Sequence, residues 1–334
     1  MMKIAAWISA RRLVALVIAL CVATHVNATP NRHATPLARR SPVILDTDIG
    51  DDIDDTWALG LMLKSPELDL KLVVGDYGKT DYRAKLLAKF LEKSGRTDVA
   101  VGVGMKSGPD GEGGQSEWIK DYNLDRYPGK VHHDGVQAMI DTIVHSREPV
   151  TLICIGPTPN IAAALEREPA IARKVNVYSM AGSVGLGYGG GKTIAAEWNI
   201  KADVKSAQRF FAAPWKSMTI TPLDTCGLVS LEGEQYQRML SNSDPIAAHV
   251  IENYRLWSKS NNADAEHRSS TLYDTVAVYL AIRSDLCRME KLHVKVNDDG
   301  FTVIDPTARP MMVATSWKDL NAYREFLVKR LTGK

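Results

Sequence analysis

Val43-Ile44-Leu45-Asp46-Thr47-Asp48-Ile49-Gly50-Asp51-Asp52-Ile53-Asp54-Asp55 is the stretch from which the fold of this chain can be read. An apolar run leads into six aspartates between positions 46 and 55, and Trp57, Ala58, Leu59, Leu61, Met62 and Leu63 then open an apolar helical pattern. The pattern predicts a buried strand, a tight turn at Gly50 and a helix, with the acids at the strand's carboxyl end. A solvated acidic turn with aspartate N-caps accounts for two of the acids. Six carboxylates this close repel one another unless protons or a cation intervene, and Ca²⁺ and Mg²⁺ are the cations that take oxygen ligands.

Working outward, apolar runs at 70–75, 99–103, 150–155, 175–181 and 218–221 read as further strands. They alternate with helical stretches at 81–94, 136–146 and 161–167, another opening at Asp203, and two more at 245–258 and 271–282. Residues 293–296 and 302–304 suit a closing hairpin turning on Asn297-Asp298-Asp299-Gly300. No repeat or internal linker interrupts the body. The expectation is an α/β fold: a single Rossmann-like domain with a mainly parallel central sheet flanked by helices, and a site at the strand carboxyl ends. Asp76 and the turn Gly156-Pro157 fall at such ends. Glu197 and Asn199 follow the glycine-rich loop 182–191, and Asp274 stands at a helix start, where an N-cap role is equally open. The loop 104–114 lacks the Lys-Ser/Thr ending of a phosphate loop and reads as a mobile segment, either a lid over the site or plain surface.

Hydrophobic residues make up 45% of the chain and charged residues 24%, as in an ordinary globular protein. A net charge of +2 without blocks of like charge argues against nucleic acid or an anionic membrane as partner. Lys3, Arg11 and Arg12 precede an apolar core at 13–23 that is too short for a permanent span, and Val26-Asn27-Ala28 offers small residues for cleavage. Residues 1–28 are expected to be a signal peptide and 29–41 a flexible leader. The catalytic domain then occupies 42–334, exported to a periplasm or secreted, with no stable membrane association after processing. Export permits disulfides, so a Cys226–Cys287 pair is open, while Cys154 sits within an apolar run.

Asp46-Thr47-Asp48-Ile49-Gly50 with Asp54-Asp55-Thr56-Trp57-Ala58-Leu59 resembles the opening motif of the inosine–uridine-preferring nucleoside hydrolases, calcium-dependent ribonucleoside N-ribohydrolases. Gly75-Asp76, Gly156-Pro157-Thr158-Pro159-Asn160, Met180-Ala181-Gly182-Ser183, Glu197-Trp198-Asn199 and Asp274 extend the likeness over nearly all of the chain from residue 42. The resemblance implies hydrolysis of the N-glycosidic bond of ribonucleosides to ribose and free base, in purine or pyrimidine salvage. It implies Asp48 as the base that activates a calcium-bound water, and Asp48, Asp55, Asp274 and the carbonyl of Ile155 as Ca²⁺ ligands. Asp54, Asp76, Met180, Glu197 and Asn199 would bind the sugar. A homo-oligomer, dimer or tetramer, is implied as well.

This chain departs from the family pattern in three places. Asp51-Asp52-Ile53 lengthen the spacing between glycine and paired aspartates, which leaves Asp52 as an alternative ligand. Asp76 stands where many relatives have asparagine. Tyr273 stands where many have the histidine associated with protonating the departing base, so Tyr273, His133 or a water is left for leaving-group activation. Two other readings compete: an exported nucleoside- or sugar-binding protein without turnover, and an aspartate-nucleophile phosphatase, which also places D-x-D after its first strand.

Overall fold

In β1 (Pro42–Thr47), Val43 and Leu45 pack into one apolar cluster and Ile44 into another, the alternation of a strand buried on both faces. The computed structural model describes residues 41–333. The expected signal peptide and, apart from Ser41, the leader lie outside them.

The other strands are β2 (Asp69–Gly75), β3 (Ala100–Val103), β4 (Val131–His132), β5 (Val150–Cys154), β6 (Val175–Met180), β7 (Ser217–Thr221), β8 (Cys287–Val296), β9 (Thr302–Ile304) and β10 (Pro310–Trp317). They form one sheet in the order β4-β3-β2-β1-β5-β6-β7-β10-β8-β9, parallel from β4 through β10. β8 runs antiparallel to β10 and β9. The expected hairpin is present, with Val296 opposite Thr302, but β8 begins earlier than expected and β10 was not foreseen. The expected helix 271–282 begins only at Thr275.

The fold is a single α/β domain with helices on both faces. One face carries Asp54–Leu63, Thr80–Lys93, Pro245–Asn261, Thr275–Ile282 and Leu320–Thr332, whose apolar sides share a cluster with Leu45, Val73 and Ile153. The other carries Gly135–His145, Pro159–Arg167 and Val204–Ala212 over Leu72, Val74 and Leu152. The chain moves outward from β1 to β4 and then returns to place β5 beside β1. That reversal opens a crevice outside the carboxyl ends of β1 and β5, where α/β sheets bind ligands. Register keeps these ends level: Thr47 pairs with Gly75, Asp46 with Cys154, and Cys154 with Ser179.

Candidate active site

Two helix starts supply the centre of the site. Asp54 and Asp55 occupy the first turn of the helix Asp54–Leu63, and Asp274 precedes the helix Thr275–Ile282 without capping it through its side chain. The helix amino termini carry partial positive charge and offset the crowded carboxylates only in part. Carboxylate oxygens of Asp54, Asp55 and Asp274 lie within 4.8 Å of one another, and all three residues are buried. Asp54 Oδ2 accepts the backbone N–H of Asp274 at 3.0 Å, and the Thr47 hydroxyl donates to Asp55 Oδ1.

Burial is the main cause raising the carboxyls of Asp54, Asp55 and Asp274 well above their ordinary range, and neighbouring carboxylates add to it. Asp48 is pushed up to about 6, mainly by burial, with Arg83 opposing. An all-oxygen donor set drawn from separate elements, costly to ionise without a counter-charge, fits a hard divalent cation.

Asp48, Asp54, Asp55, Ile155, Met180, Glu197, Asn199, Tyr273 and Asp274 all line one cavity of about 370 Å³, a size that suits a small ligand. Asp48 borders this cavity beside the close trio of Asp54, Asp55 and Asp274. Asp52 also borders the cavity, yet it is exposed and outside the trio.

Glu197 shapes the site through the backbone. Its Oε2 accepts from Gly182 N–H at 2.9 Å and its Oε1 from Asn199 N–H at 2.8 Å. Burial pushes its carboxyl up to about 7. Asn199 Nδ2 donates to the carbonyls of Ile155 at 3.1 Å and Met180 at 3.3 Å, so one amide ties together the ends of β5 and β6.

Two expectations are corrected. His133 is exposed beyond the edge strand β4 and is not among the cavity's lining residues, because β4 lies three strands away from β1. Asp76 also does not line the cavity. It is fully buried, and neither carboxylate oxygen has a hydrogen-bond partner. Burial, reinforced by Asp46 and Asp48, raises its carboxyl well above the ordinary range and favours the protonated form, which has a hydroxyl to donate as an asparagine amide would. Asp46 accepts from Asn160 Nδ2 at 2.9 Å and is a structural support. The backbone at Gly156 allows this crowding: a Cβ there would stand 2.8 Å from both Asp48 Oδ1 and Asp76 Oδ1.

The loop 104–114 contributes no lining residue, contrary to a lid over the site. Met105 N–H donates to Asn160 Oδ1 at 2.8 Å, Gly78 N–H donates to the Ser107 carbonyl, and Gly113 packs against the Gly50 carbonyl. Cys154, Cys226 and Cys287 are free thiols, so the Cys226–Cys287 pair is not formed.

Three residues of the site region escaped the sequence reading. Arg83 is a buried cation that donates to the carbonyls of Asp48, Ile49 and Tyr77. Asp224 accepts the N–H groups of Val184, Gly185 and Leu186 and thereby sets the glycine-rich loop. Tyr188, within that loop, lines the cavity. Only Asp224, three residues past the end of β7, carried a usable signal.

A family model described as inosine-uridine preferring nucleoside hydrolase matches residues 43–328. The pyrimidine-specific ribonucleoside hydrolase RihA of Enterobacter sp. (strain 638) is 28% identical over 79% of this chain and 88% of that protein. Two solved structures share the fold with a TM-score of 0.72. A plant nucleoside hydrolase, the PpNRh1 enzyme, is 21% identical over 88% of this chain and 100% of its own. A purine-preferring ribonucleoside hydrolase from Gardnerella vaginalis is 22% identical over 88% and 98%.

Proposed function

The chain belongs to the inosine–uridine preferring nucleoside hydrolase family, a nucleoside N-ribohydrolase that cleaves ribonucleosides to ribose and free base, and from that premise we propose how its residues divide the work. The observation that carries this reading is the buried carboxylate trio beside Asp48 in the crevice between β1 and β5. Asp55, Asp274 and the Ile155 carbonyl would hold Ca²⁺, with Asp54 and Asp48 completing the oxygen set. When bound, the ion lowers the pKa of water and orients the sugar's vicinal hydroxyls.

The chain's own part starts at Asp48. Burial raises its carboxyl to about 6 without a cation, so it is mostly ionised at neutral pH and can take the proton of an attacking water. Attack at the anomeric carbon passes through an oxocarbenium-like state, as in sugar hydrolysis. The surrounding carboxylates stabilise its positive charge. Glu197 and Asn199 fix the ribose-facing wall, and Met180 supplies its apolar floor. Tyr273 lines the cavity with a phenol that burial raises to about 12.

Export rests on the charged and apolar pattern of residues 1–23 with the small residues at 26–28, and among the described residues no helix is long and apolar enough to cross a membrane. A homo-oligomer rests on the family resemblance. The decisive assay is release of ribose from a panel of purine and pyrimidine ribonucleosides, with and without chelator. Calcium-dependent release supports the division of roles; release unaffected by exhaustive chelation would remove the metal from it.

A further inference from the structure

The mouth of the cavity combines exposed aromatic faces with exposed acids. Trp198 and Tyr188 are 48% and 47% exposed, although large apolar side chains usually seek burial. Both are fixed in place. Trp198 stands edge-on to Tyr77, with ring centres 6.4 Å apart and planes at 90°, and Tyr77 is held at φ +47°, a left-handed conformation that a side chain this large rarely adopts. Tyr188 Oη accepts the Trp198 N–H at 2.8 Å, and its ring stands edge-on to Tyr273 at 6.4 Å. The rings therefore form a braced rim rather than a loose apolar edge.

Asp51 and Asp52 join this rim and are exposed. Seven of the fourteen lining residues are carboxylates, and no lysine, arginine or histidine is among them. A divalent ion held by Asp54, Asp55 and Asp274 would offset charge deep in the cavity. At the mouth, Arg83 pairs with Asp51 at 3.7 Å, and among the described residues Asp52 forms no ion pair. Aromatic faces beside carboxylates that outnumber the nearby cations attract a positively charged ligand. A neutral base gains stacking from this rim and nothing from its charge.

The leaving group points the same way. A neutral base leaves as an anion unless a proton reaches it, so a donor assists its departure. Apart from carboxyls, the side-chain hydroxyls among the described residues of the cavity wall are the phenols of Tyr188 and Tyr273. A base that is already cationic needs no proton. Its C1′–N bond breaks, the electron pair returns to the ring nitrogen, and the base leaves neutral. The water oxygen bonds to C1′ and its proton passes to Asp48.

We propose that the substrate class preferred by this cavity is a ribonucleoside with a positively charged base, such as an N-ribosylpyridinium, held by Trp198, Tyr188, Asp51 and Asp52. The proposal rests on the nucleoside hydrolase reading of the same cavity. The test compares nicotinamide riboside, which is cationic, with p-nitrophenyl riboside, which is neutral but also leaves without a proton, and with inosine and uridine. The calcium-loaded enzyme is expected to show the highest kcat/KM for nicotinamide riboside. The ratio of kcat/KM for nicotinamide riboside over p-nitrophenyl riboside should fall about tenfold in the Asp51→Asn/Asp52→Asn double variant, and further in Trp198→Ala. Added salt should raise KM for the cation more than for the neutral glycoside. Faster cleavage of inosine or uridine than of nicotinamide riboside, or a ratio that the double variant leaves unchanged, overturns the proposal while the hydrolase reading stands. Cleavage of none of the four overturns both.

Discussion

Arg83 Nη1 donates to the backbone carbonyl of Asp48, so the carboxylate proposed to activate water is positioned through its main chain by a buried cation. The same guanidinium donates to the carbonyls of Ile49 at 3.0 Å and Tyr77 at 2.6 Å. Arg83→Met leaves three carbonyls without this donor and is expected to lower stability by about 3 kcal/mol. Urea unfolding measures it; an unchanged midpoint refutes the anchoring role. Arg83→Lys should recover only part of the loss, because an ammonium lacks the planar fork.

Removing a proposed ligand separates metal binding from folding. Asp55→Ala is expected to abolish calorimetric calcium binding and to lower turnover by about 100-fold or more. In chelator the variant should be at least as stable as the parent, since one of several mutually repelling buried carboxylates is gone. Asp48→Ala should likewise stay folded and lose hydrolysis. Near-parental turnover in either purified variant contradicts the assignment.

Tyr273 can be tested through the leaving group. If its phenol protonates the departing base, Tyr273→Phe slows inosine far more than p-nitrophenyl riboside, whose leaving group needs little help. Equal slowing of both assigns Tyr273 to the cavity wall alone.

The carboxyls of Asp46, Asp48 and Glu197 are raised to about 7, 6 and 7 in the folded chain, from ordinary values of 3.8, 3.8 and 4.5. The folded state therefore keeps protons that the unfolded chain has released. The resulting stability is complete below about pH 4 and is lost as pH rises through about 6 to 7. Thermal melts of the chelated protein should fall between pH 5 and pH 8, and saturating calcium should reverse most of the decline. A calcium-free melting temperature that rises across this window excludes the protonated cluster.

Gly156→Ala places a methyl 2.8 Å from Asp48 Oδ1 and Asp76 Oδ1. Activity is expected to fall by at least about 100-fold, because small displacements of catalytic groups are costly. Calorimetry and turnover on the same preparation separate loss of the water-activating geometry from unfolding.

The strand, turn and helix around Asp46–Asp55 were legible because an apolar run, a glycine and a helical pattern are local signals. So was the parallel sheet, since its strands are separated by helices. The roles of individual acids were harder to read, because they depend on side-chain packing that spacing does not fix. Asp52 and Asp54 look alike in the sequence, yet one is exposed and the other buried. Asp76 stood at a strand end, as a ligand would, but lies beneath the cavity against Asp46 and Asp48. Arg83 lies on an amphipathic helix where a solvated arginine is the ordinary expectation. β10 went unnoticed because a proline opens it and polar residues stand near its end, which weakens the strand signal of its Met-Met-Val-Ala run.

Asp54 and Asp274 meet across 220 positions of sequence. At ribosomal speeds of roughly 5–20 residues per second, the third carboxylate emerges roughly 10–45 seconds after the first two. During that interval the nascent chain has an incomplete donor set. A cation held by this proposed trio would therefore require a chain folded at least through Asp274, and a product cut short before that residue would lack the third ligand.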